Sequence, residues 1–186
     1  MNSPYTISSL LVKNPQKMRT VSSTSDLIMQ EQFAFGQITP FIGSKPWMSL
    51  KLWFSIKNLG RRGFEQIIDQ RHQLALDLAD LIDSSKDFIR INEVDINSVA
   101  FMYTGSLKNL TVEQLNQINR AIHDAIIERG VYHLHQFSIP DNGIIQKGEV
   151  IYPLRFMSGN PITTKDHLVA MLKYVREIGQ KIQENL

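Results

Sequence analysis

A chain of 186 residues with 42% hydrophobic and 20% charged residues has the balance of a globular protein large enough for a sizeable core. Its formal net charge of +2 is spread without a block of like charges, which argues against nucleic acid or an anionic membrane as partner despite an isoelectric point near 8.8. Cysteine is absent, which excludes disulfides and thiolate chemistry and fits a cytoplasmic protein, and no signal peptide or membrane-length apolar run is expected.

In chain order, YTISSLLV (Tyr5 to Val12) reads as a short buried strand closed by Lys13, Asn14 and Pro15. An irregular stretch follows, holding Phe33, Phe35 and Phe41, aromatic rings that are costly to leave in water. From Pro46 the pattern turns regular. PWMSLKLWFSIKNLG predicts a helix with Pro46 in its first turn and Gly60 past its end. Leu50, Trp53 and Phe54 lie on one side of it, and Leu52, Ile56 and Leu59 on another, so burial on more than one face is expected. The GRRG stretch, Gly60 to Gly63, lacks the spacing of a nucleotide fingerprint and reads as a tight junction between helices. In the second helix Phe64, Ile67, Arg71, Ala75, Leu78 and Ile82 recur at helical spacing.

Strands are predicted at FIRI (Phe88 to Ile91) and SVAFMY (Ser98 to Tyr103). The next helix has the clearest local signature in the chain. Thr111 and Gln114 are spaced as a capping box, Leu110 and Leu115 as a hydrophobic staple, and Gly130 as a terminator, with Leu115, Ile118, Ile122 and Ile126 facing the core. VYHLHQFSI and VIYPLRFM read as two further strands. A last helix opens at Thr163, with Asp166 three residues on, and buries Leu168, Met171, Leu172, Val175, Ile178 and Ile182. After Pro46 the order is thus α α β β α β β α, which predicts an α+β layer with an antiparallel sheet covered by helices.

Few side chains here suggest chemistry. His133 and His135 alternate on a predicted strand and point the same way, but no carboxylate stands at a ligand spacing, so a strand face is the better reading than a metal site. His72, His123 and His167 read as rim residues. SGNP before Thr163 and Thr164 could offer free N–H groups to an anion, although a plain turn with an N-cap is the better reading. Arg155 stands out as the one charge inside the apolar run Ile151, Tyr152, Leu154, Phe156 and Met157. Two accounts stand side by side. Either the guanidinium snorkels, or pairs with an acid such as Asp95 or Glu149; or its planar fork of donors receives a carboxylate from outside.

Three stretches together resemble the group II pyridoxal-phosphate-dependent amino-acid decarboxylases. Leu50, Lys51, Leu52 and Trp53, followed by Gly60, Gly63 and Phe64, are similar to the family's Leu-Lys-apolar-Trp helix and its Gly-x-x-Gly junction. INSVAFMY resembles its core strand, and YPLRFMSGNPITTKDHL its Leu-Arg…Asn-Pro-x-x-Thr stretch. The resemblance runs from about Pro4 to the end of the chain. It implies the small C-terminal domain of the fold type I, aminotransferase-like architecture over residues 46–186, with a remnant of the large cofactor-binding domain and an interface segment over residues 1–45. It also implies pyridoxal phosphate as cofactor, an L-amino acid as substrate, and a homodimer. Arg155 matches the family's small-domain arginine that reaches toward a substrate carboxylate. Ser44 and Lys45 align with a segment that approaches the neighbouring subunit's cofactor site, although the family commonly has Arg where this chain has Lys45. The family's Schiff-base lysine would fall just before Met1, so no catalytic residue is expected in this chain. The expectation is a decarboxylase portion inactive alone, with a non-catalytic module that binds a decarboxylase or a separate N-terminal half as the alternative.

Overall fold

The computed structural model describes residues 11–14, 16–17, 47–105 and 110–184. Ser44, Lys45, the three phenylalanines at 33, 35 and 41 and the expected boundary at 45/46 lie outside the described residues. Of the strand expected over Tyr5 to Val12, only Leu11 and Val12 are described. Both are exposed and neither is in a strand.

Two compact units divide between Phe64 and Glu65. Helix α1, Met48–Asp83, runs through the division but is not regular throughout: Gly60 has φ 62° and ψ −179°. Only glycine adopts that conformation without strain, so two helices meet at Gly60 within α1, the junction that the sequence predicts. Before the break, burial on more than one face is not met among the described residues. Leu50 and Leu52 are half-buried, while Trp53, Phe54, Ile56 and Leu59 are exposed. Trp53 and Phe54 meet edge to face at 5.1 Å, and the Lys57 ammonium lies 5.5 Å from the Trp53 ring. These contacts shield only part of the apolar surface.

The unit from Glu65 onward contains β1 (Phe88–Arg90), β2 (Ser98–Tyr103), α2 (Val112–Arg129), β3 (His135–Gln136), β4 (Ile139–Pro140), β5 (Val150–Ile151), β6 (Leu154–Met157) and α3 (Lys165–Gln183). One antiparallel sheet has the order β1-β2-β6-β3, and β4 and β5 form a separate pair. The α+β class and the antiparallel sheet covered by helices are as the sequence predicts. Strand alternation sorts the core. Phe88, Val99, Phe101, Tyr103 and Leu154 face the helices and pack with Ala75, Leu78 and Ile82 of α1, Ile118, Ile122 and Ile126 of α2, and Leu168, Val175 and Ile178 of α3. Ile91, Ala100 and Met102 face the other way, against Ile139, Ile145 and Ile151 of the β4–β5 hairpin and Leu115.

The α2 signature holds in full. Gln114 N–H donates to Thr111 Oγ1 at 3.2 Å, Thr111 N–H donates to Gln114 Oε1 at 3.0 Å, and Gly130 closes the helix with φ 65°. The last helix begins one residue later than predicted. Thr164 is its N-cap, and its N–H donates to His167 Nδ1 at 3.1 Å, so His167 takes the place predicted for Asp166.

VYHLHQFSI and VIYPLRFM each split into two short strands that join different sheets, and His133 lies outside both. The cause is polar. Pro153 has no N–H to continue a ladder, and the side-chain amide of buried Asn116 replaces a strand neighbour, donating to Val150 C=O at 2.8 Å and accepting from Tyr152 N–H at 3.1 Å. Asn119, one turn along α2, does the same for β2. It accepts from Tyr103 N–H and donates to Tyr103 C=O, both at 2.9 Å. Both asparagines stand beside the apolar stripe of α2, and each satisfies backbone groups that burial would otherwise leave unpaired.

Candidate functional site

β6 is an inner strand, flanked by β2 and β3, so a side chain on it is positioned from both sides. Arg155 lies opposite Ala100 of β2 and His135 of β3. Alternation with buried Leu154 turns it away from the helices, and Ala100 leaves room beside it. Arg155 is half-buried. Its Nε is buried and has no hydrogen-bond partner, and its guanidinium carbon lies 5.3 Å from the Phe137 ring centroid. Among the described residues it makes no ion pair, with Asp95, Glu149 or any other acid. A buried guanidinium N–H without an acceptor is costly, so this arrangement has donor capacity to spare for an anion.

His135 shares that face as the cross-strand partner of Arg155. Its ring meets His133 at 4.7 Å, nearly perpendicular, and both histidines are exposed. Partial burial and the neighbouring His133, Arg155 and His123 hold the His135 pKa below its ordinary value. Among the described residues no group of three or more His, Asp or Glu could hold a metal ion. The sequence showed the His133–His135 alternation, but only the β3–β6 pairing brings His135 beside Arg155.

The remaining sequence candidates have internal partners. Ser158 is buried and donates from Oγ to Arg71 C=O at 2.7 Å, and the buried Arg71 guanidinium donates back to Asn160 C=O. Asn160 Oδ1 accepts from Ile162 N–H at 3.1 Å. SGNP is therefore a turn pinned to α1. His72 Nδ1 lies 2.7 Å from Ile96 C=O, and His123 lies 3.6 Å from the Asp124 carboxylate.

A cavity of about 380 Å³ opens between β6 and the start of α3, lined by residues that include Tyr132, His133, Phe156, Asn160, Thr163 and His167. Arg155 does not line it, and neither does any lysine or carboxylate.

The model of the pyridoxal-dependent decarboxylase conserved domain matches residues 1–104, more than half of the chain. The chain belongs to the pyridoxal-dependent decarboxylase family. An aspartate 1-decarboxylase of Aliivibrio fischeri is 23% identical over 95% of this chain and 34% of its own length. An L-2,4-diaminobutyrate decarboxylase of Acinetobacter baumannii is 24% identical over 73% of this chain and 24% of its own. The chain therefore spans about a third or less of the curated relatives it matches. Among solved structures, mouse CSAD in its apo form superposes with a TM-score of 0.66 at 21% identity, over 84% of this chain and 35% of that one. TDC from Oryza sativa with PLP and tryptamine gives 0.64 at 16% identity, over 76% and 28%. At these identities the likeness shows the fold, and it is that of the decarboxylases.

Pyridoxal phosphate is the family's cofactor, and the described residues do not make a complete site for it. Such a site needs an amine to bind the cofactor and an acid for its ring nitrogen. Lys13 and Lys51 are exposed, and the cavity offers neither group.

Proposed function

We propose that this chain is the C-terminal part of a pyridoxal-phosphate-dependent L-amino-acid α-decarboxylase, and that Arg155 receives the carboxylate of the amino-acid substrate. The observation that carries the reading is the Arg155 guanidinium, whose buried Nε has no acceptor among the described residues, on an inner strand of a decarboxylase-family fold. A bidentate pair between its fork and a carboxylate would fix the substrate's orientation, and so the direction of the bond that loses CO2. The remainder of the enzyme supplies the cofactor, its lysine and the groups that read the substrate side chain.

The working enzyme in this reading is a cytoplasmic homodimer, in which residues 1–45 belong to the large domain and the interface. Ser44 and Lys45 then approach the cofactor site of the neighbouring subunit, with Lys45 giving a point charge where the family commonly has a guanidinium fork. The exposed Trp53, Phe54 and Ile56 of α1 support a covering surface of this kind.

Two measurements test the proposal. The isolated chain, incubated with pyridoxal phosphate and reduced with borohydride, should retain no covalent cofactor. Retention that disappears on replacing one particular lysine would refute the assignment as a portion inactive alone. In enzyme reconstituted with an N-terminal segment of the family, Arg155→Ala should depress CO2 release on the order of a hundredfold or more, the loss expected from a charge-assisted bidentate contact. A main effect on solubility or melting instead would remove Arg155 from the site. The cavity lining, which holds no lysine or carboxylate, supports a second reading, a non-catalytic module that associates with a decarboxylase or with a separate N-terminal half. Binding to such a segment without any gain of CO2 release would select it.

A further inference from the structure

The half-exposed face of the sheet carries more basic side chains than one carboxylate needs. Arg155 stands in the centre, His135 is its direct cross-strand neighbour, and the His133 ring lies 4.7 Å from that of His135. Ala100 occupies the other side of Arg155, so the second polar neighbour is on β3 alone. From the elements packed around it, the ionisable groups acting on His135 are His133, Arg155 and His123 of α2, all basic. The Asp124 carboxylate stands against His123. Phe137 and the Ala100–Met102 side of the sheet make the floor apolar. A second basic side chain that can take up a proton, beside a guanidinium whose buried Nε has no acceptor and over a floor that weakens screening, is a poor neighbour for an ammonium group and a good one for a second negative charge.

We propose that His135 is a specificity-determining residue that binds the second carboxylate of a small dicarboxylate whose first carboxylate is held by Arg155. This deepens the reading of Arg155 given above and rests on it. The site thereby favours an amino dicarboxylic acid over a neutral or cationic amino acid. Partial burial and the surrounding basic groups hold the His135 pKa below its ordinary value, and a bound dianion offsets the charges that repel the proton, so binding draws a proton onto the ring. Affinity for a dianion accordingly rises as pH falls through the His135 titration, whereas affinity for a monoanion changes little.

The test uses the full chain, labelled for NMR, with sodium succinate and sodium acetate at matched ionic strength as probes. Near pH ~6, succinate should bind on the order of tenfold more tightly than acetate, and the difference should close near pH ~8. The His135 ring titration should move to higher pH in succinate. His135→Gln should abolish the preference while leaving acetate binding in place, and Arg155→Gln should weaken both anions. Equal affinity for the two anions near pH ~6, or a His135 titration indifferent to succinate, overturns the role of His135. Binding of neither anion, or binding that survives Arg155→Gln, overturns instead the reading of Arg155 beneath it.

Discussion

On the helix side of the four-stranded sheet, Val99, Phe101, Tyr103 and Leu154 are each at most 1% exposed and meet apolar side chains from three helices. On the opposite side Ala100 and Met102 are buried as well, but the row ends at half-buried Arg155 and exposed His135 and His133. The same strands build both faces, so strand propensity does not explain the contrast; what packs on each face does. One side has been completed by apolar burial, which is non-directional and accepts any well-shaped neighbour. The other ends in groups whose pairing needs a specific partner with charge and direction. A sheet with one face closed and one face left polar over part of its area is a scaffold with a site on it.

The contrast predicts a gradient of stability effects, steepest on the helix side. Phe101→Ala removes a fully buried ring that stacks edge to face on Phe88 at 5.9 Å, and should cost about 3–5 kcal/mol, read from denaturant midpoints at constant m. A loss under about 1 kcal/mol would show that this face is not the closed one. Next is Asn119→Ala, which strips both hydrogen bonds from the Tyr103 backbone at the buried end of β2. About 2–3 kcal/mol is expected, with hydrogen exchange at the Tyr103 amide accelerated more than at its neighbours.

Gly179→Ala should follow at about 1–3 kcal/mol. Its reason is space: a Cβ there would come within 2.3 Å of the buried Tyr103 ring. Gly130 makes the control, since nothing lies within 4 Å of its Cβ position and only φ 65° opposes a side chain. Gly130→Ala should therefore cost about 1 kcal/mol, and Tyr103→Leu should lessen the cost of the first substitution but not of the second.

How much of this was legible in the sequence depends on where each signal resides. α2 was readable from Leu110 to Gly130 because cap, staple, stripe and terminator all lie within one short window. Gly60 was readable as a junction because only a backbone need, not packing, was at issue. The split of VIYPLRFM was not readable. Pro153 marks it, but the decisive partner of Val150 and Tyr152 is Asn116, an amide on a distant helix that looks like any polar residue beside an apolar stripe. The exposure of Trp53 and Phe54 was missed for the converse reason, since a two-sided apolar helix tells what must be covered and not by what. For the site, Arg155 stood out as a lone charge among apolar neighbours. His135 gained meaning only from register: shifting β3 by one residue would turn it to the other face and put Leu134 beside the guanidinium.

The hairpin that borders the polar face gives a smaller, pH-dependent effect. Asp141 is buried, which by itself opposes its charge. The backbone N–H groups of Ile145, Gln146 and Ile144, at 2.8, 2.6 and 3.1 Å, more than compensate and hold its pKa below the ordinary value. A depressed carboxyl contributes stability that is present above its unfolded-state pKa, near 3.8, and is lost as pH falls through the folded value. Wild type should thus lose stability relative to Asp141→Asn below pH ~4, and the two should run parallel above pH ~5. Parallel curves throughout the acid range would remove Asp141 as the anchor of this loop.

The smallest stability effect is expected at the residue of greatest functional weight. Arg155→Met keeps the length and the contact with Phe137, deletes a buried N–H that has no acceptor, and breaks no ion pair. Desolvating that donor costs about 1–3 kcal/mol in the wild type and returns nothing until an anion arrives. The substituted chain should accordingly melt no lower than wild type, within about 0.5 kcal/mol or slightly above it, while losing the response to carboxylates. Leu154→Ala, one residue earlier and on the helix face, should cost about 2–5 kcal/mol and leave that response intact wherever the chain remains folded. Adjacent positions on one strand would then separate cleanly, one controlling stability and the other ligand binding. If instead Arg155→Met destabilised as much as Leu154→Ala, the guanidinium would be part of the core's own pairing and the polar face would lose its reading as a site.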